Sequence, residues 1–141
     1  MFRSCTENAN PINDVCGESL QKVLLIDDDE MTLAAIGHAL EKDECQLFVT
    51  ADGPDGVALF KEHHPDLVLL DIGLPSMSGT DVLHEIKTFD PRACVMVVSG
   101  YSSPDIKALA ARYGACEFIE KPIATDALLR RIRTKLQTTI R

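Results

Sequence analysis

The sequence predicts an α/β fold in which a doubly wound, five-stranded parallel sheet lies between two layers of helices. Two observations carry this prediction. Short apolar runs, typical of strands buried on both faces, alternate with stretches whose apolar residues recur at helical spacing. Such an alternation requires right-handed crossovers, which produce a parallel sheet covered on both sides. The length of 141 residues and the 45% hydrophobic content suit a single domain.

The predicted elements follow one another at short intervals. Residues 1–21 are polar and without periodicity, so we expect a flexible N-terminal extension before a domain formed by residues 22–141. Five apolar runs are predicted to be strands, namely residues 23–26, 46–49, 67–70, 94–98 and 116–119. Turn-forming residues such as Gly and Pro end these segments and separate them from the helices.

Helical periodicity occupies each interval after a strand. The predicted buried faces comprise Leu33, Ile36, Gly37 and Leu40; Val57 and Phe60; Val82, Leu83 and Ile86; Ile106, Leu109, Ala110 and Tyr113; and Leu128, Leu129, Ile132 and Leu136. Ser103 and Pro104 form a helix cap followed by proline at the first helical position. Gly114, which follows this predicted helix, is typical of a helix C-terminus.

Composition excludes several function classes. The net charge of −8, with no basic block outside the last helix, disfavours direct binding of nucleic acid by this domain. Apolar runs fall far short of the roughly 18 residues that span a bilayer, and the N-terminus lacks a secretory pattern. We therefore expect a cytoplasmic protein with no membrane insertion. Its five cysteines have no zinc-ligand spacing, and Cys45, Cys94 and Cys116 are interpreted as small core residues.

Polar residues follow four of the five predicted strands. Asp27 and Asp28 follow the first, Asp71 the third, Ser99 the fourth and Lys121 the fifth. Because parallel strands end at the same edge of a sheet, these residues are expected to converge. Clustered carboxylates favour Mg²⁺, while a lysine and a hydroxyl suit phosphoryl oxygens. This chemistry makes Asp71 the candidate nucleophile, which would form an acyl phosphate.

Four motifs resemble the receiver domains of two-component response regulators, of the chemotaxis-regulator type. The likeness covers about residues 22–137, and the motifs are Ile26-Asp27-Asp28-Asp29, Leu69-Leu70-Asp71-Ile72-Gly73-Leu74-Pro75-Ser76-Met77-Ser78-Gly79, Val97-Val98-Ser99-Gly100 and Phe118-Ile119-Glu120-Lys121-Pro122. The resemblance implies a flavodoxin-like fold with strand order 2-1-3-4-5. It also implies that Asp71 accepts a phosphoryl group from a histidine kinase or a histidine phosphotransfer protein.

The resemblance assigns the metal site as well. Asp28, Asp71 and the backbone carbonyl of Gly73 would ligate Mg²⁺, with Asp27 acting mainly through water. Ser99 would bind the phosphoryl group together with Lys121, for which the family usually has a cis peptide before the following proline.

The resemblance also implies a conformational switch. In the family a hydroxyl residue moves toward the phosphate and an aromatic residue rotates inward, here Ser99 and Phe118. The surface formed by the fourth helix, the fifth strand and the fifth helix then changes shape. Through this surface such domains form homodimers or contact a downstream target or effector domain. Gly73 and Tyr101 occupy positions that, in the family, influence how long the phosphate persists.

Three other functions are alternatives to a phosphorylation-dependent switch. An aspartyl-phosphate phosphatase of the haloacid-dehalogenase type would need a second Asp where Gly73 stands. A flavin-binding domain would place phosphate beside Asp27 and Asp28, which repel it. A phosphorylation-independent interaction module would not need the complete polar set. The sequence favours a phosphoacceptor domain that is no enzyme beyond its own phosphorylation and dephosphorylation. The cognate kinase, the output and the oligomeric state stay open, as does the choice between a stand-alone receiver and a part of a larger regulator.

Overall fold

The computed structural model describes residues 20–74, 77–100 and 102–138. These residues form one five-stranded parallel sheet in the order β2-β1-β3-β4-β5. Its strands are β1 (Lys22–Ile26), β2 (Gln46–Thr50), β3 (Leu67–Leu70), β4 (Val95–Ser99) and β5 (Glu117–Glu120). The predicted fold class and strand order are confirmed. The predicted extension lies almost wholly outside the described residues, as does Tyr101.

A helix follows every strand. The helices are α1 (Glu30–Lys42), α2 (Gly53–His63), α3 (Gly79–Phe89), α4 (Pro104–Arg112) and α5 (Thr125–Thr138). Each of the first four begins after a residue whose side chain accepts a hydrogen bond from a backbone N–H of the first turn, namely Asp29, Asp52, Ser78 and Ser103. In the part of the chain that the structure describes, no helix is long and apolar enough to cross a membrane.

The sheet separates two apolar cores, because alternate residues of a strand point to opposite faces. One core joins α1 and α5 to the face of β1 that carries Val23 and Leu25. The other joins α2, α3 and α4 to the opposite face, which carries Leu24 and Ile26. The central strand β3 is buried along its whole length, as its uninterrupted apolar sequence predicts. Asp71, which follows β3 directly, is therefore attached to a fully buried strand at the centre of the sheet.

Two local expectations need correction. Of the apolar face predicted for α4, only Ala110 is fully buried, because this short helix covers the edge of the sheet and its other apolar residues stay partly exposed. Strands β4 and β5 begin one residue later than predicted, so Cys94 and Cys116 precede them. Cys45 is a core residue as expected, whereas Cys94 is only partly buried and Cys116 is exposed.

Candidate functional site

Three carboxylates converge at the carboxyl edge of the sheet. Strands β1 and β3 are neighbours with Ile26 opposite Leu70, so the residues that follow them emerge side by side. The Asp71 N–H donates to the carbonyl of Ile26 over 2.9 Å. The carboxylate oxygens of Asp27, Asp28 and Asp71 lie within 4.8 Å of one another. The first and third of these residues are buried, at 7% and 9% exposure, whereas Asp28 is exposed.

Asp27 is held by the start of α1. Its Oδ1 accepts a hydrogen bond from the backbone N–H of Asp29 over 2.9 Å, and its own N–H donates to the Thr50 carbonyl. Burial raises the pKa of Asp27, and the negative charge of Asp71 adds to this effect. The hydrogen bonds from Asp29 and Lys121 oppose the shift without cancelling it. Asp29 itself caps α1, so the sequence motif divides into site residues and a structural cap.

Lys121 brings a positive charge to the two buried carboxylates. Its Nζ lies 3.0 Å from Asp27 Oδ2 and 3.5 Å from Asp71 Oδ2. Burial alone would lower the pKa of Lys121, but the hydrogen bond and charge of Asp27 and the charge of Asp71 outweigh it, so that pKa is raised. The lysine is therefore a permanent cation at neutral pH. The peptide bond between Lys121 and Pro122 is cis, as the resemblance implied.

The loop between β3 and α3 is tied tightly to the end of β3. The Gly73 N–H donates to Asp71 Oδ1 over 3.1 Å, and the Gly79 N–H donates to the Ile72 carbonyl over 2.9 Å. A Cβ on Gly79 would lie 2.4 Å from the Ile72 Cα and 2.5 Å from the Asp71 carbonyl oxygen. Only glycine permits this approach. The local sequence pattern does not reveal this contact, which joins the start of α3 to the backbone of Asp71 and Ile72.

Ser99 lies on the other side of the central strand. It ends β4, which neighbours β3, and it is fully buried. Its carbonyl accepts a hydrogen bond from the Lys121 N–H over 2.9 Å, which ties the ends of β4 and β5 together. Phe118 of β5 lies opposite Val97 of β4. Its side chain is partly buried and packs against the core beneath α2, α3 and α4.

The donor set fits a hard divalent cation. All three convergent side chains are carboxylates, and oxygen is the ligand that Mg²⁺ prefers. Since Asp28 is exposed while Asp27 and Asp71 are not, the group opens to solvent on one side. Mg²⁺ usually retains several water ligands in its sites, and the open side of this group leaves room for them. Among the described residues, this acidic group is the one whose geometry matches a metal site.

Comparison with known proteins agrees with the fold. The family model of the response regulator receiver domain matches residues 23–133. The cell cycle transcriptional regulator CtrA of Caulobacter vibrioides is 37% identical over 79% of this chain and 48% of its own length. The sensory transduction protein RegX3 of Mycolicibacterium smegmatis is 33% identical over 84% of this chain and 51% of its own. The chain thus spans about half the length of the curated relatives it matches.

Solved structures also match this chain, and they have the receiver-domain fold. A CheY-like response regulator receiver domain protein from Methanospirillum hungatei superposes with a TM-score of 0.81 and 30% identity, covering 86% of this chain and 97% of that one. The chain belongs to the response regulator receiver domain family of two-component signalling systems.

Proposed function

We propose that Asp71 accepts a phosphoryl group from a phosphohistidine donor, either a histidine kinase or a histidine phosphotransfer protein. The observation that carries this proposal is the convergence of three carboxylates within 4.8 Å, with the Lys121 Nζ placed between Asp27 and Asp71. Receiver domains are signalling domains rather than conventional enzymes. The chemistry proposed here is accordingly a single transfer to Asp71, followed by hydrolysis of the acyl phosphate, which releases inorganic phosphate and restores the carboxylate.

The position of Asp71 distinguishes it from its two acidic neighbours. It follows the central strand β3, with Asp27 beyond β1 on one side and Ser99 at the end of β4 on the other. A phosphoryl group on Asp71 would therefore lie between the acidic residues and the hydroxyl. Attack by an Asp71 carboxylate oxygen on phosphorus breaks the bond to the donor imidazole and forms a mixed anhydride. The hydroxyl of Ser99 and the ammonium of Lys121 bind the phosphoryl oxygens.

Asp27, Asp28, Asp71 and the backbone carbonyl of Gly73 are the proposed Mg²⁺ ligands, with Asp27 acting mainly through water. When bound, Mg²⁺ supplies positive charge that offsets the repulsion between the carboxylates and the incoming phosphoryl group. Burial raises the pKa of Asp27 and the negative charge of Asp71 adds to this effect; a bound cation would offset both, which supports the assignment. Lys121 in turn holds the phosphoryl group as a point charge.

The proposed output begins at Ser99 and Phe118, which would shift when Asp71 is phosphorylated. Both lie on the strands that support α4 and α5. Ion pairs already connect these elements: Lys107 of α4 with Glu120, and Arg131 of α5 with Glu117 over 2.8 Å. We call the surface formed by α4, β5 and α5 the output face. A movement of Phe118 beneath it would alter these charge pairs.

The proposed partner of the output face is a downstream protein target, an effector domain or a second copy of this chain. CtrA, of which the match covers 48%, is named a transcriptional regulator, and this supports an effector domain as one such partner. The net charge of −8 supports contact with protein rather than direct contact with nucleic acid. We place this protein in the cytoplasm, where phosphohistidine donors of two-component systems act.

The test is intact-mass measurement after incubation with acetyl phosphate and Mg²⁺. One phosphoryl adduct is expected on the wild-type protein, and none with EDTA or on Asp71→Asn. Circular dichroism of that variant should match the wild type, since amide and carboxylate have nearly the same shape. An adduct of equal yield on folded Asp71→Asn would refute the assignment. A folded, Mg²⁺-binding wild type that accepts nothing from acetyl phosphate or from a phosphohistidine donor would favour the phosphorylation-independent module.

A further inference from the structure

Two thiols meet at the edge of the sheet opposite the acidic cluster. Cys94 directly precedes β4 and Cys116 directly precedes β5, and these strands are parallel neighbours. Their Sγ atoms lie 2.9 Å apart. Among the described residues, the remaining cysteine, Cys45, is buried in the core beneath α1 and α5. The pair is therefore a distinct feature of this edge, and the proposed phosphoryl transfer does not use it.

The backbone holds both thiols in place. The Cys94 carbonyl accepts a hydrogen bond from the Val68 N–H over 3.0 Å, and the Cys116 N–H donates to the Val95 carbonyl over 2.9 Å. Both cysteines thus continue the hydrogen-bond ladder of the sheet. Cys116 is exposed and Cys94 is partly exposed, so small solutes reach the pair from solvent. Disulfide bonds need closely approaching residues in a defined geometry, and the sheet supplies that approach.

The charges around the pair differ for the two thiols. The hydrogen bond with Cys116 lowers the pKa of Cys94 from 9.0 to about 7, against the opposing effect of burial. The nearby ammonium groups of Lys135 and Lys87 contribute, whereas the carboxylate of Glu117 opposes them. The same hydrogen bond, together with burial, raises the pKa of Cys116. At neutral pH Cys94 is therefore partly ionised to the thiolate, whereas Cys116 stays protonated.

We propose that Cys94 and Cys116 form a redox-active dithiol that a hydroperoxide converts into an intramolecular disulfide. The Cys94 thiolate attacks the terminal oxygen of the hydroperoxide, the O–O bond breaks, and a sulfenic acid forms while the alkoxide leaves, which is hydroxide in the case of hydrogen peroxide. The Cys116 sulfur then attacks the sulfenic sulfur, the S–O bond breaks and water leaves. Overall the two thiols lose two electrons and two protons, and one hydroperoxide is reduced. A dithiol reductant such as dithiothreitol reverses the reaction by exchange.

This site lies beside the output face and away from Asp71. Glu117, next to Cys116, pairs with Arg131 and Lys135 of α5. A disulfide would fix the start of β5 to the start of β4, directly beneath these pairs. Asp71 follows β3 and lies at the opposite edge of the sheet, so acceptance of the phosphoryl group should be unchanged. The dithiol would thus give the output face a second input.

The experiment treats the full chain with hydrogen peroxide and maps its peptides without reduction. The expected result is loss of two hydrogen atoms from the monomer, recovery with dithiothreitol, and a cross-linked peptide joining Cys94 to Cys116. Cys5→Ser and Cys16→Ser variants are matched controls and should give the same cross-link. A monomer without this cross-link, a disulfide joining other cysteines only, or a disulfide between two chains would overturn the proposal.

Cys116→Ala separates the two roles. Without Cys116, dimedone should trap a sulfenic acid on Cys94, and the pH midpoint for alkylation of Cys94 should rise. A thiol with a pKa of about 7 is about half ionised at pH 7, against about 1% for a pKa of 9.0. Because thiolates of higher pKa are stronger nucleophiles, alkylation at pH 7 should slow by roughly fivefold. An unchanged alkylation rate, with the protein folded, would contradict the assigned roles.

Discussion

Replacing Gly79 by alanine tests whether the loop after β3 positions Asp71. The added Cβ would lie 2.4 Å from the Ile72 Cα, 2.5 Å from the Asp71 carbonyl oxygen and 3.0 Å from its carbonyl carbon. All three are backbone atoms of the segment that carries the proposed phosphoacceptor. They cannot give way by a change of rotamer. The loop or the end of β3 must therefore move.

The expected loss of stability follows from this overlap. Overpacking of a well-packed interior costs typically 1–3 kcal/mol, and contacts with backbone belong to the upper part of that range, about 3 kcal/mol. Alanine at a helix start recovers up to about 1 kcal/mol of helix propensity relative to glycine. We therefore expect Gly79→Ala to lower the free energy of unfolding by about 2 kcal/mol. A misplacement of about 1 Å at the reacting carboxylate should also slow phosphorylation by roughly 100-fold.

The assay combines urea unfolding with the initial rate of phosphorylation by acetyl phosphate. Gly100→Ala is the matched control, because a Cβ on Gly100 would meet nothing within 4 Å. That control should stay within about 0.5 kcal/mol of the wild type. If Gly79→Ala unfolds at the wild-type urea concentration and accepts phosphate at the wild-type rate, the close approach does not position Asp71, and the reasoning fails.

The remaining predictions concern the charges of the site. Lys121→Ala should bind Mg²⁺ as the wild type does but accept phosphate roughly 100-fold more slowly, since one donor to the phosphoryl oxygens is lost. Loss of Mg²⁺ affinity in calorimetric titration would show that the role of the lysine is misassigned. Burial raises the pKa of Asp27, so the folded state binds that proton more tightly than the unfolded state, and metal-free stability should rise as pH falls through the raised pKa toward 3.8. Asp27→Asn should remove this pH dependence and raise the melting temperature of the metal-free protein at pH 7. Mg²⁺ at 100 times its Kd should stabilise the wild type by about 2.7 kcal/mol, and the same Mg²⁺ concentration should stabilise the variant less. A metal-free variant that melts at a lower temperature than the wild type would contradict the argument that the carboxylates repel one another.

The convergence of Asp27 and Asp71 was predictable from the sequence. Each ends an apolar run, and parallel strands bring such ends to one edge whatever the loops do. The different exposure of Asp27 and Asp28 was not predictable, because it depends on how the chain turns from β1 into α1. Lys121 follows β5, two strands from β3, and its pairing with Asp27 depends on the path of the loop before α5.

Gly79 and the two thiols show a second limit of sequence reasoning. The need for glycine at position 79 comes from a contact with the backbone of Ile72, which no local pattern reveals. The cysteine pair was missed because the predicted strands began one residue too early, which assigned Cys94 and Cys116 to the core. Both cysteines precede their strands at the edge of the sheet, where Cys94 is partly buried and Cys116 is exposed. Small errors at strand ends therefore matter most where edge residues carry chemistry.

The most direct test of the account is to locate the phosphorylated carboxylate. Borohydride reduces an aspartyl phosphate to homoserine, so the protein phosphorylated with acetyl phosphate and Mg²⁺ can be reduced, digested and mapped by mass. We expect homoserine at position 71 alone, in a yield equal to the phosphoryl content measured before reduction. Homoserine at position 27 or 28 would contradict the assignment of the central carboxylate as the acceptor and the other two as metal ligands.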